Sequence, residues 1–321
     1  QPTILKNTLR TIAISNDNYK FLRENIKGIK NLGWPTNKIK IYSEKNISNE
    51  LFEFKNKNQN NFYLLKYIEF YNLLKRNKFL KFVKYKNYSF ETIKKKNYNL
   101  IINSEHNNLI TKKFFFKKIE RNYKSLAHTA IIDHKKINNK IAIQIFTNCG
   151  PLAFLPLSDS QTSIVFSNNS NKLINKKEFL EIINKYNHKY FVKKISNIES
   201  FGIKFSHLRN YVYKNILSFG DLIHKVHPLA GQGFNMTIRD IKSLSFILDE
   251  NIKLGIDDGE TIAQKFQENN KHVNFMYGVG IDSINSFFKL DNKLKNNLSE
   301  PIFKILKGNK FLNNYATFFS N

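Results

Sequence analysis

From Ile216 to Leu248 the hydrophobic pattern of the chain changes period, and the change dictates a strand, a turn and a helix in that order. Ile216, Leu217 and Phe219 form a compact apolar run of the kind a buried strand requires. Gly220 and Asp221 follow, and then a stretch that holds His224, His227, Pro228, Gly231, Gln232 and Gly233. Beyond it Phe234, Ile238, Ile241, Leu244 and Leu248 recur at helical spacing, predicting an amphipathic helix that starts close to Gly233. Asp221 is therefore expected at the carboxyl end of a buried strand, the ligand-facing edge of an open α/β sheet, where a carboxylate accepts hydrogen bonds from a polyol. Pro228, Gly231 and Gly233 make a loop that enters a helix N-terminus. Free N–H groups and partial positive charge there suit a phosphate or another electron-rich group. The glycines let a flat ligand approach the backbone.

Rival readings of this turn are weaker. A phosphate-binding P-loop needs Gly-Lys-Ser/Thr, which is missing after Gly233. "GQGFNM" supplies two of the three glycines of a dinucleotide fingerprint, and the acid that should close that fingerprint falls beyond a helix instead of at a strand end. Asp221, His224 and His227 have a ligand-like spacing, but Pro228 and the glycines break any helix that would align them, so no metal is expected. A plain turn with hydrogen-bonded histidines accounts for either histidine alone and less well for the whole set.

The chain has 321 residues, 41% of them hydrophobic, enough for a sizeable core. A formal net charge of +27 raises the question of nucleic acid. Arginine supplies only Arg10, Arg23, Arg76, Arg121, Arg209 and Arg239 of the 52 basic residues, and base-edge and bidentate phosphate contacts favour arginine. The lysine excess comes with abundant Asn, Ile and Phe, a compositional bias, and no nucleic-acid partner is expected. Cys149 is the single cysteine, which rules out an internal disulfide and points to a reducing, cytoplasmic setting. There is no apolar run of about 18 residues and no signal-peptide core at the start. The chain opens on Gln1, from which an origin inside a longer reading frame is expected.

Elsewhere, "TLRTIAIS" (8–15) has the β-branched content of a buried segment, and the stretch after it is expected as a helix capped by Asn16 or Asp17 and ending near Gly33. Residues 38–61 are Lys/Asn-rich with weak patterning. "FYLLKYIEFYNLLKRNKFLKFV" (62–83) shows helical spacing, and "YNLIINSE" (98–105) resembles a central parallel strand. "KIAIQIF", "GPLAFLPL" and "TSIVFS" are short strands of an antiparallel sheet, followed by a helix over 176–186. The fold expected is α/β, with an antiparallel-sheet domain inserted.

The set Gly220, Asp221, His224, His227, Pro228, Leu229, Ala230, Gly231, Gln232, Gly233, Asn235 and Asp240 closely resembles the second FAD-binding motif of flavin-dependent aromatic hydroxylases. The closest branch is the 2-polyprenylphenol hydroxylases of ubiquinone biosynthesis, relatives of p-hydroxybenzoate hydroxylase. "LRTIAIS" with Arg10, "FTNCGPLAFLPL" with the "SIVFS" strand after it, and more weakly "GIDSINSFF" around Asp282, agree with the same branch, so the resemblance covers nearly the whole chain.

The resemblance implies a glutathione-reductase-like Rossmann FAD domain over 1–40, 62–115 and 208–321, and a substrate domain over 41–61 and 116–207. It implies that Asp221 holds the FAD ribitol, that Pro228, Gly231, Gln232, Gly233 and Asn235 line the flavin, and that Arg10 lies near the cofactor. Gly150, Pro151, Ala153 and Leu155 would then line the pocket for the ring to be hydroxylated. NADH or NADPH would reduce the FAD, dioxygen would add to it, and an apolar pocket would protect the resulting hydroperoxide. The flavin carries the chemistry, so no catalytic side chain is implied. The family's first βαβ unit, with its glycine fingerprint, would precede Arg10 and is expected to be missing from this segment. In the family an Asp-Gly motif closes the "LIIN" strand, whereas here Glu105 and His106 stand in its place. The alternative is a non-catalytic member of the fold acting as a scaffold in a ubiquinone-biosynthesis complex. Ile302, Phe303, Ile305, Leu306, Phe311 and Leu312, interleaved with lysines behind Ser299, are expected to pack as a helix on the FAD domain, with a peripheral contact at the inner membrane as the other use and a route to a polyprenyl substrate.

Overall fold

A computed structural model describes residues 9–55, 60–76, 81–84, 91, 93, 98–228, 231–256 and 258–293. In chain order the strands are β1 (Thr11–Ser15), β2 (Trp34–Thr36), β3 (Lys38–Ser43), β4 (Phe52–Lys55), β5 (Phe62–Lys66), β6 (Ile101–Asn103), β7 (Lys118–His134), β8 (Ile141–Thr147), β9 (Gly150–Pro156), β10 (Gln161–Asn168), β11 (Val192–Ile195), β12 (Glu199–Leu208), β13 (Val212–Tyr213), β14 (Ile216–Ser218) and β15 (His224–Lys225). The helices used below are α1 (Asn16–Asn25), α2 (Tyr67–Arg76), α3 (Leu109–Phe114), α4 (Lys176–Tyr186), α5 (Gln232–Lys253) and α6 (Gly259–Lys293).

A nine-stranded sheet dominates, in the order β15-β12-β7-β10-β9-β8-β3-β4, with β11 also on β7. Its pairings are antiparallel except for β3 with β8. The weakly patterned region after Lys38 thus adds two strands to this sheet. One face is covered by α4, whose Phe179 and Ile183 pack with Leu152, Phe154, Ile164 and Phe166. The helix occupies the expected residues because Asn175 and Glu178 form a reciprocal capping box.

Two small sheets complete the architecture. In β13-β14-β6, β14 runs parallel to β6, so the "LIIN" and "ILS" segments are the parallel pair anticipated from their apolar runs. In β1-β5-β2 all pairings are antiparallel. Here the sequence expectation needs two corrections. Residues 62–66 form β5 and the helix starts only at Tyr67. Phe62 and Leu64 pack with Ala13 and Leu155 on one side while Leu65 joins Ile12, Ile14 and Ile238 on the other. Burial on both faces erases the alternation that marks a strand. Helix α1 has Ser15, not Asn16 or Asp17, at its N-cap position, without a side-chain cap bond, and ends at Asn25, well before Gly33: Ile26 is already extended, and Gly28 with a left-handed φ of 92° leads into a short 3-10 segment.

Helices α5 and α6 close the molecule. Buried α5 residues Leu244 and Ile247 share a core with Phe266 of α6 and with Leu217 and Phe219 around β14. The C-terminal amphipathic stretch anticipated over 299–319 lies outside the described residues. Among the described residues no helix is long and apolar enough to cross a membrane.

Candidate functional site

Strand β14 ends at Ser218, and the chain turns through a 3-10 segment, Gly220–Leu222, that leaves Asp221 exposed. No described residue donates a hydrogen bond to its carboxylate, which is free for a ligand. The loop after the parallel neighbour β6 brings His106 into electrostatic contact with Asp221 at the same sheet edge. Burial and the nearby Lys225 and Lys118 hold the His106 imidazole below its usual pKa, and its Nε2 is buried without a hydrogen-bond partner. Glu105 beside it is exposed.

After β15 the chain passes Val226, His227 and Pro228 and enters α5 at Gly231; Leu229 and Ala230 lie outside the described residues. Gly231 caps α5 with a left-handed φ of 67° and no side-chain hydrogen bond, so the first N–H groups of the helix stay uncapped. A Cβ on Gly231 would lie 3.1 Å from the Ala13 Cβ and 3.3 Å from its backbone N and O. Glycine is required by the close pass of this turn over β1. Gly233 lies over Val226, which keeps the two arms of the turn together. Gln232 is buried at the helix start.

Asn235 has a different task from the ligand contact expected of it. Its Nδ2 donates to Ala13 O at 2.8 Å and Gly231 O at 3.2 Å, while its Oδ1 accepts from Ser15 N at 2.9 Å and Asn18 Nδ2 at 3.0 Å. All its donors and acceptors are engaged within the protein. It fastens the N-terminus of α5 to β1.

The two histidines of the motif part ways. His224 Nε2 meets Asp240 Oδ2 at 2.8 Å in full burial, and Asn274 donates to Asp240 Oδ1 at 2.9 Å, tying β15, α5 and α6 together. His227 is 2% exposed and stands edge-on to the Tyr123 ring at 5.7 Å. Burial, with Lys289 nearby, pushes its pKa down to about 4. Tyr123 hydroxyl donates to Asp282 Oδ1 at 2.5 Å and Arg121 Nη1 to Oδ2 at 2.7 Å. The weak "GIDSINSFF" signal thus marks the point where α6 is clamped to β7. Tyr123 gave no sequence signal of its own, because its neighbours come from distant segments.

Strand β9 divides the expected pocket residues by face. Pro151, Ala153 and Leu155 alternate with Leu152 and Phe154, which point into the α4 core. Leu155 packs against the cluster formed by Ala13, Phe62 and Leu64. Ala13 is also the neighbour of Gly231, so the glycine turn lies against a residue of the same apolar cluster on which Leu155 packs. Gly150 is set by other forces: at φ 129° a Cβ would fall 1.8 Å from Ser167 O, so a tight backbone approach alone explains it. Arg10 is exposed, its guanidinium 4.7 Å from the centre of the Phe201 ring on β12.

The chain is matched by a family model described as "FAD binding domain" over residues 153–258. Among curated proteins it is similar to the Dictyostelium discoideum ubiquinone biosynthesis monooxygenase COQ6, mitochondrial, 35% identical over 29% of this chain and 19% of that protein. The Xenopus tropicalis protein of the same name is 28% identical over 49% of this chain and 42% of its own length. The chain thus spans less than half the length of these relatives. In fold it resembles Klebsiella pneumoniae HpxO complexed with FAD and uric acid, with a TM-score of 0.65 at 9% identity, covering 98% of this chain and 88% of that one. Uncapped helix, glycine turn and an acid at a parallel strand end agree with these likenesses: the chain carries an FAD-binding-domain match and is similar to ubiquinone-biosynthesis monooxygenases over about half of its length.

Proposed function

We propose that the protein is an FAD-dependent monooxygenase that hydroxylates the aromatic ring of a polyprenylphenol in ubiquinone biosynthesis, with NADH or NADPH and O2 as co-substrates. The observation that carries this reading is that the Gly231 turn passes over Ala13, a member of the apolar cluster on which Leu155 of β9 packs, which would put a backbone platform for a flat cofactor near an apolar strand for a ring. Bound FAD supplies the electron and oxygen transfer. The residues present fit such a group. Asp221 offers a free carboxylate to the ribitol hydroxyls, and the uncapped N–H groups of α5 offer donors and positive potential to the pyrimidine side of a flavin, where negative charge grows on reduction. Pro228, Gly231, Gln232 and Gly233 would form the platform, with Asn235 fixing it from behind. Pro151, Ala153 and Leu155 would exclude water from the ring, and a polyprenyl tail would lie along apolar surface.

A second reading, a non-catalytic scaffold of the same fold, draws on one observation: Glu105 and His106 stand at the edge of β6 where bare glycine backbone would favour a close cofactor approach. The visible absorption spectrum of the protein, purified from its complete reading frame, decides between them. Flavin bands and oxidation of NAD(P)H in the presence of polyprenylphenols are expected. A colourless protein that fails to take up added FAD would leave the scaffold.

A further inference from the structure

The stretches "KKFFFKKI" (112–119) and "RNYVYK" (209–214) hold Lys112, Lys113, Lys117, Lys118, Arg209 and Lys214 without a single acid. The fold brings the two stretches together. Helix α3 ends at Phe114, and Phe115 enters the core that it shares with Leu208 and Tyr211. That anchor leaves its neighbours at the surface: Phe114 is stacked on Tyr213 with ring centres 3.8 Å apart, and Phe116 is 61% exposed. Where β7 begins, the Lys117 carbonyl accepts from Arg209 N at 2.9 Å, which sets Arg209 beside the lysine. Lys214, at a φ of 51°, and Asn215 make the tip of the β13–β14 hairpin next to Tyr213, and Asn215 Nδ2 ties that tip to Tyr98 O at 2.5 Å.

Aromatic rings and cations from separate segments thus share one exposed surface. Among the described residues no carboxylate pairs with Lys112, Lys117, Arg209 or Lys214, and the next acid along the chain, Glu120, takes a hydrogen bond from Ser206 Oγ at 3.3 Å. A single exposed phenylalanine is ordinary on a protein surface. One set among cations that lack counter-charges offers two chemistries to a partner at once. A nucleic acid would be met by arginine forks, and Arg209 alone supplies one here. An anionic bilayer asks for something else: compact charges on flexible stems at the level of the headgroups, and an aromatic ring at the boundary of the acyl chains. The lysines around Phe116 and Tyr213 answer that description, and their sign complements the lipid surface.

We infer that this surface, residues 112–117 with Arg209, Tyr213 and Lys214, docks the protein on an anionic phospholipid bilayer, Phe116 entering the interface and the lysines resting on the headgroups. The contact lies on the folded body of the protein, apart from the amphipathic stretch over 299–319. It uses no residue of the glycine turn and is independent of the flavin reading.

The full-length protein is sedimented with vesicles of phosphatidylcholine alone, or of phosphatidylcholine and phosphatidylglycerol in equal parts. Binding is expected to the mixed vesicles and not to the neutral ones, and should weaken as salt is raised from about 0.05 to about 0.5 M. Phe116→Ser and the pair Lys117→Glu with Lys214→Glu are each expected to lower partitioning about tenfold. Lys176→Glu with Lys177→Glu makes the same change in net charge at exposed positions of α4 and should stay within about threefold of wild type. Phe116→Trp adds a reporter to the single native Trp34; with mixed vesicles its emission should shift to the blue and be quenched by brominated lipid, beyond any change in the wild type. Thermal melting is recorded for every variant, and should the serine or charge variants not fold, the tryptophan reporter decides alone. A wild type that ignores the mixed vesicles overturns the inference. So does equal loss in the two charge-reversed pairs, which would make net charge the cause, or a reporter whose emission stays put while the protein sediments. Variants of this surface that lose binding to polyuridylic acid and keep binding to vesicles identify a nucleic acid as the partner instead. None of these readouts involves flavin, so a protein that binds no FAD overturns the flavin reading and leaves this one standing.

Discussion

At the scale of single residues, the site is built by atoms that look ordinary in sequence. Asn235 commits its whole side chain to β1 and α1, so Asn235→Ala leaves Ser15 N–H and Ala13 O without their partner. The expected loss is about 2–3 kcal/mol in urea unfolding, with FAD affinity falling as the helix N-terminus loosens. Gly231→Ala meets a left-handed φ of 67° and a crowded Ala13 and should cost about 1–3 kcal/mol by the same measurement. His207 and His227 carry a pH signature: burial pushes each down to about 4 in the folded protein. The unfolded chain, with ordinary histidines near 6.5, then binds more protons than the native one between about pH 6.5 and 4. Stability should therefore fall as pH drops through that window, at no more than about 1.4 kcal/mol per pH unit per histidine. Denaturant midpoints at a series of pH values check this, and His207→Phe should flatten the slope.

At the scale of elements, what matters is which ends are capped and which are left open. The capping box of α4 is complete and far from the glycine turn, so Asn175→Ala should cost about 1 kcal/mol of stability and leave flavin binding unchanged, as followed by thermal melting and FAD titration. Helix α5 shows the opposite arrangement, a glycine start with no side-chain cap beside a free carboxylate. The strand-turn-helix around that start was legible in the sequence because apolar period and glycine spacing are local properties. Strand β5 was not, since the burial of Phe62 and Leu65 on opposite faces depends on partners elsewhere in the chain. The end of α1 escaped for a related reason: nothing in the helical spacing up to Gly33 forbids a longer helix, whereas in the fold the backbone is already extended at Ile26 and left-handed at Gly28.

At the scale of the whole molecule, a net charge of +27 makes the compact state repel itself, and the few arginines leave this charge mostly on lysines. Raising salt from low ionic strength to about 0.15 M, where the screening length falls to about 8 Å, should raise the melting temperature. A melting temperature that stays flat or falls would show that the ion pairs, such as Lys40 with Glu50 and Lys185 with Glu44, outweigh the repulsion. The sequence by itself determined the order of strand, glycine turn and helix, the parallel pair at the ligand edge and the antiparallel block between, because each is written in local periodicity and turn chemistry. Only the tertiary structure decided that the glycine turn lies against the apolar cluster of Ala13, that Asn235 works as a fastening, and that His224 pairs through Nε2 with Asp240. Those facts depend on contacts between segments as far as 222 positions apart, and no spacing along the chain encodes which buried polar group will find a partner when the layers close.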